Sequence, residues 1–283
     1  MNDKIRENKK IGLALGGGSA LAFGHFGVLK ALKEGGIKID YISGTSAGAI
    51  AGALFAFGVS FIDIEAEAQN IDWKKIAKLK LSSMSIFSNT ALRKLLEKHL
   101  GKHTDIKNAE IPLAITVADI ETGDRTVLKS GNVVDAVMAS SCMPGIFPPV
   151  EINGHFYIDG GLVENVPVTP LYDAECGIKI GVNLLHYRKY QKPKNMIDVL
   201  INSFDMINKR ISAQPHENGF DFLIQPDLSD FYMTDIKKWK QIYKKGYEEG
   251  QKYVDAIKEI QRRESEENFW GKIKELFNFK NEG

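Results

Sequence analysis

The first apolar run of the chain, Ile11 to Leu15, ends directly in Gly16-Gly17-Gly18, the pattern of a buried strand feeding a glycine loop. From Ala22 to Lys33 the apolar residues Phe23, Phe26, Val28, Leu29 and Leu32 recur at helical spacing, and the pattern stops at Gly35-Gly36. Lys38 to Ser43 alternates like a strand, and Ser46 to Phe57 reads again as a helix. Strand, helix, strand, helix within so short a stretch predicts a parallel sheet with crossover helices.

The middle of the chain is more helical. Ser60 to Gln69 and Ile71 to Leu79 predict two short helices, and Asn89 is placed as N-cap of a helix over 91–100, with Gly101 just past its end. Ile111 to Ala118 and Arg125 to Leu128 read as strands joined around Thr122-Gly123-Asp124, followed by a helix over 133–139. Val150 to Ile158 is a hairpin pattern with Asn153-Gly154 at its turn, and Asp159-Gly160-Gly161 follows at once. A strand over 178–184, a helix over 195–210, a strand over 220–224 and a long helix over 235–260 complete the pattern. No internal repeat or linker interrupts it. The expected organisation is a polar extension over 1–10, one α/β domain over 11–262 and a distinct tail over 263–283.

Composition narrows the classes. The formal charge of +1 over 283 residues leaves no strong field of the kind nucleic acid requires, so a nucleic-acid partner is not expected. Cys142 and Cys176 are too few for a disulfide framework and lack metal-ligand spacing; no cofactor is expected. Met1 to Lys10 is too polar for a signal peptide, and no run of about 18 apolar residues could span a bilayer. The expected location is the cytoplasm, with peripheral contact at the inner face of the membrane as an extension of it.

Gly44-Thr45-Ser46-Ala47-Gly48 is a G-x-S-x-G string between a predicted strand and a predicted helix, where a nucleophile elbow belongs. Such a turn holds the serine hydroxyl clear of the sheet at the positive end of the following helix. The alternative is a tight turn whose serine caps a helix. The loop Gly16-Gly17-Gly18 offers backbone N–H groups for a developing oxyanion. Alternatively it could cradle a phosphate, with Asp40 as a ribose ligand, although Leu21 stands where that motif needs a third small residue. Asp159, at a strand end before two glycines, is placed to act as a base or simply to form an Asx-turn. His25, His99, His103, His155, His186 and His216 fall in no segment with another catalytic signal, and they read as structural or surface residues. Of these, His99 and His103 flank a predicted helix end and are expected to be solvated.

These elements in this order resemble the patatin-like phospholipase family. The likeness runs through Leu13 to Ser19, Gly24 to Leu32, Gly44 to Gly48, Ala139 to Pro149 and Tyr157 to Val163. The resemblance implies a three-layer α/β/α fold with a mainly parallel central sheet, and a lipid acyl hydrolase acting on a lipid ester without metal. It implies a Ser46–Asp159 dyad with no histidine. It also implies an oxyanion hole drawn from Gly16, Gly17, Gly18 and Ser19, with Gly44, Gly48, Gly160 and Gly161 supporting the motifs. One departure stands out: Leu21-Ala22 occupies positions where many members carry Arg-Gly. A non-catalytic lipid-binding protein on the same fold is the alternative that this departure motivates.

The tail places Phe269, Trp270, Ile273, Leu276 and Phe277 on one helical face with lysines around it, a pattern suited either to a bilayer interface or to docking on protein.

Overall fold

The computed structural model describes residues 9–70, 78–79, 84–187, 190, 192–212 and 219–278, with side chains as far as Arg262 outside residues 78–79 and Ser212. In chain order the strands are β1 (Ile11–Leu15), β2 (Tyr41–Gly44), β3 (Lys78–Leu79), β4 (Phe87–Ser88), β5 (Leu113–Asp119), β6 (Arg125–Leu128), β7 (Val150–Ile152), β8 (His155–Asp159), β9 (Ile178–Val182) and β10 (Phe222–Ile224). The α-helices are α1 (Phe23–Glu34), α2 (Ala47–Ala56), α3 (Phe61–Asn70), α4 (Thr90–Leu100), α5 (Val133–Ser140), α6 (Thr169–Asp173), α7 (Met196–Ser212) and α8 (Trp239–Asn278).

The main sheet runs β10-β9-β1-β2-β5-β8-β7, with β6 also on β5, while β3 and β4 form a separate ribbon. From β10 to β5 every neighbour is parallel, and β6, β7 and β8 add an antiparallel edge. All five residues of β1 are buried, which demands cover on both faces of the sheet. Ile11, Leu13 and Leu15 join the large core with α1 and α2, whereas Ala14 packs with Leu171 of α6 and Cys176 on the other face. The expected layering of helix, sheet and helix follows from that alternation.

Most elements stand where the periodicity places them, including the Asn153-Gly154 hairpin turn, whose residues have φ of 53° and 83°. Three differ. The helix expected over 71–79 lies outside the described residues as far as 71–77 is concerned, and Lys78-Leu79 pair as strand with β4. Asn89 does precede α4, but its side chain makes no cap and instead donates to Cys142 Sγ. The last helix does not stop near Ile260: its backbone continues to Asn278. The tail's apolar face of Phe269, Trp270, Ile273, Leu276 and Phe277 lies outside the described side chains. Among the described residues, no helix is long and apolar enough to cross a membrane.

Candidate active site

The parallel strands deliver their C-terminal ends to one edge of the sheet, where crossover loops can converge. β1 ends there in the glycine loop and β2 in the G-x-S-x-G turn. Ser46 sits between β2 and α2 with φ 53° and ψ −118°, a left-handed conformation that L residues adopt only when the surroundings impose it. The surroundings do impose it. A Cβ on Gly48 would lie 1.9 Å from the Leu15 carbonyl oxygen, and one on Gly44 would lie 2.6 Å from the Gly48 oxygen. Neither flanking position therefore accepts a side chain. The Ser46 N–H donates to Ser140 Oγ at 2.9 Å, and Ser140 Oγ donates to the Thr116 carbonyl at 2.7 Å. The elbow is thus tied to α5 and β5.

Asp159 closes β8, which pairs with β5 in antiparallel register at Val117. Its N–H donates to the Cys142 carbonyl, and its carboxylate accepts the Gly161 N–H at 2.9 Å. The Ser46 side chain lies near enough to the same carboxylate to draw its pKa down. The Asp159 side chain is 1% exposed, and that burial pushes its pKa up to about 7 against the opposing pull of Ser46 and of the Gly161 N–H. Of the two glycines that follow, the first faces backbone and the second the tip of a side chain. A Cβ on Gly160 would meet the Thr116 carbonyl at 2.2 Å, and one on Gly161 would meet Asn208 Oδ1 at 2.8 Å.

The glycine loop faces this pair: a Cβ added to Gly17 would lie 3.5 Å from Ser46 Cβ. Its four candidate donors are not equivalent. Gly16 N–H donates to the Val182 carbonyl at 3.1 Å and so extends the sheet, which removes Gly16 as an oxyanion donor. Gly17 N–H donates to the side chain of Asn165 at 3.1 Å. The N–H groups of Gly18 and Ser19 have no acceptor among the described residues, and Ser19 carries a left-handed φ of 51°. These two remain available to a bound oxygen.

His25 is fully buried one turn into α1, with Nε2 2.6 Å from the Gly16 carbonyl oxygen and Nδ1 without a partner among the described residues. A carbonyl only accepts, so the ring is the neutral Nε2–H tautomer, and burial lowers its pKa to about 4. It therefore braces the loop and does not titrate near neutrality. Leu21, which stands at the family's frequent arginine position, is fully buried, and its N–H closes on the Gly18 carbonyl. Loop support here is apolar burial plus His25.

The phosphate-cradle alternative fails on Asp40. Its carboxylate accepts the N–H of Ile11, at the start of β1 and the opposite sheet edge from Gly16. Neither cysteine competes as a nucleophile: burial pushes the Cys142 thiol up to about 12 and raises that of Cys176. His155 pairs with Asp119 on the hairpin, and His186 stacks edge-on against Tyr187. His216 lies outside the described residues. His99 is a correction. It is largely buried in the wall of the cavity and bonds Glu67.

That cavity, about 170 Å³, opens on Ser46, Asp159, Ser19 and Ser141 and is otherwise lined almost entirely by apolar side chains. Apolar cavities of roughly 150 Å³ already admit a benzene-sized guest. Ser140, Cys142, Asn165 and His25 hold this site without any signal in the local patterns. Only the Gly24-to-Leu32 and Ala139-to-Pro149 blocks contained a hint of three of them.

Residues 13–172, more than half of the chain, match the family described as patatin-like phospholipase. The chain is 25% identical over 294 residues to lysophospholipase NTE1 of Kluyveromyces lactis, covering 91% of this chain and 20% of that protein. It is 33% identical over 178 residues to an uncharacterized NTE-family protein of Mycobacterium tuberculosis, covering 62% of this chain and 30% of that one. The chain therefore spans about a fifth of the length of the first and less than a third of the second. Among solved structures, VipD from Legionella pneumophila shares the fold, with a TM-score of 0.61 at 14% identity over 88% of this chain and 67% of that chain.

Proposed function

The chain belongs to the patatin-like phospholipase family, and from that membership and the site geometry we propose that it is a serine lipid acyl hydrolase. Ser46 is the nucleophile and Asp159 the base, with no metal or other cofactor. The observation that carries this reading is a left-handed elbow serine beside a buried carboxylate of raised pKa, both lining one apolar cavity.

Asp159 takes the hydroxyl proton as Ser46 Oγ attacks the ester carbonyl. The carbonyl electron pair moves onto oxygen, which faces the N–H groups of Gly18 and Ser19 at the positive end of α2. Collapse breaks the C–O bond, and the leaving alkoxide takes the proton from Asp159. Water then attacks the acyl-Ser46 carbonyl, giving its proton to Asp159, and the acid departs as Ser46 Oγ is reprotonated. Each oxyanion donor contributes roughly 3 kcal/mol where comparable groups have been removed.

The test is labelling by a fluorophosphonate together with turnover of p-nitrophenyl esters by the wild type, Ser46→Ala and Asp159→Asn. Labelling at Ser46 with turnover lost in both variants is expected. A folded wild type that neither labels nor turns over would leave a lipid-binding protein. Turnover surviving Asp159→Asn would mean another base. We assign surface contact with lipid to the segment 263–283, whose helical pattern of Phe269, Trp270, Ile273, Leu276 and Phe277 with lysines around it suits an interface. Deleting it should weaken liposome binding and leave turnover of soluble esters intact, and unchanged liposome binding would refute the assignment.

A further inference from the structure

The cavity has a direction. Ala47, Ile50 and Leu54 line it along α2, leading away from Ser46. Leu92, Leu95 and His99 line it along α4. The start of α4 lies at the same end as Ser46, because Asn89 just before it bonds Cys142 while the neighbouring Ser141 bonds the Ser46 carbonyl. Both helices therefore carry the apolar walls from the reacting atoms toward His99. There the lining changes character. Glu67 of α3 accepts from His99 Nε2 at 3.1 Å and from Lys98, so the far end is a polar, hydrogen-bonded plug.

The length follows from helix geometry. Ala91 and His99 both line the cavity, and at about 1.5 Å per residue they are roughly 12 Å apart along α4. An extended chain advances about 1.2 Å per bond, so roughly ten bonds fit between them. A longer chain would press its terminal methyl against Glu67 and His99. It would have to displace a hydrogen-bonded charge to go further.

We infer that the Glu67–His99 pair is the end-stop of an acyl-chain ruler, setting a preference for straight acyl groups of about ten carbons. The inference rests on the acyl-hydrolase reading above and deepens it by naming the substrate class. Leu95, midway along α4, is the position that would shorten the ruler, and His99 is the one that would lengthen it.

The experiment measures kcat/KM for p-nitrophenyl esters of four to sixteen carbons, and in parallel the calorimetric affinity for free fatty acids of the same lengths. The proteins are the wild type, His99→Leu and Leu95→Trp, each checked for folding by circular dichroism. In the wild type both quantities should rise about fourfold per methylene until the cavity fills, then level. His99→Leu removes the stop while Lys98 still pairs Glu67. It should move the break to longer chains, with a gain of about fifteenfold at two carbons beyond the old limit. Leu95→Trp should move the break to shorter chains. A break that neither variant moves, or no break at all, overturns the ruler. A chain-length break in fatty-acid binding that the variants move, without turnover of any ester, upholds the ruler and refutes hydrolysis.

Discussion

Replacing Asp159 by asparagine should stabilise this protein at alkaline pH. The carboxyl is 1% exposed and its pKa is lifted from the ordinary 3.8 to about 7, desolvation outweighing the pull of Ser46 and of the Gly161 N–H. A group whose pKa is higher in the folded than in the unfolded state binds more protons when folded. Wild-type stability therefore declines as pH rises through the window from 3.8 to about 7, and the full cost is present above it. The decline accrues at about 1.4 kcal/mol per pH step inside that window, which bounds the total at about 4 kcal/mol. Asparagine is isosteric, keeps an oxygen for the Gly161 N–H, can donate to Ser46 Oγ, and does not titrate. Urea unfolding of both proteins from pH 5 to 8.5 should show the variant gaining on the wild type up to about pH 7, then holding a constant lead. In thermal scans the lead amounts to several degrees, at about 2–4 °C per kcal/mol for a protein approaching this size. Parallel pH profiles for the two proteins would refute a buried, strained carboxylate and with it the basis for calling Asp159 a base.

Three further outcomes are expected. Because only ionised Asp159 accepts the serine proton, kcat/KM for a soluble ester should rise about tenfold per pH step on the acid side of about 7 and level above it; a flat profile from pH 5 to 9 would exclude this base. Gly48→Ala, whose Cβ would lie 1.9 Å from the Leu15 carbonyl oxygen, should yield no stable folded protein, whereas Gly123→Ala, with φ 77° and open space around it, should lower stability only by about 1 kcal/mol in a denaturant titration. His25→Leu leaves the Gly16 carbonyl without its donor and should cost about 1–3 kcal/mol of stability; turnover should fall with it, since the loop it braces carries the Gly18 and Ser19 donors.

The parts of the site that local patterns reveal are those whose geometry is set locally. A glycine loop after an apolar run, a small-x-Ser-x-small turn before a helix and an Asp-Gly-Gly after a hairpin each carry their own steric reason, and the close approaches at Gly48 and Gly160 supply it. The residues that hold those parts together are set by the sheet. Gly17 meets Asn165 across 148 positions and Ser46 meets Ser140 across 94, contacts that exist only once β1, β2, β5 and β8 lie side by side. His99 departs from its expected place for the same reason. Its position near a helix end implies water, but α3 brings Glu67 over it and the cavity lies beneath. Periodicity reports what one element would bury, not which neighbour will cover its end.

Backbone strain without a local cause falls on two residues of the proposed site. Among the described residues, four non-glycine positions have positive φ: Ser19, Ser46, Asn153 and Glu175. Asn153 is the asparagine of an Asn-Gly hairpin turn, and Glu175 follows α6 in a turn closed by its own N–H on the Tyr172 carbonyl, so local turn geometry accounts for both. Ser19 and Ser46 have no such excuse, since serine gains nothing intrinsic from a left-handed backbone. Each costs about 1–3 kcal/mol and persists only because packing over-determines it. For Ser46 that packing is the Gly48 approach to Leu15 and the relay through Ser140 to Thr116; for Ser19 it is the buried Leu21 and the Ala20 N–H bonded to the Met233 carbonyl. Both strained serines line one cavity together with Asp159. On the proposed reaction these two residues supply the attacking hydroxyl and one of the oxyanion N–H groups, which gives the sustained strain a use.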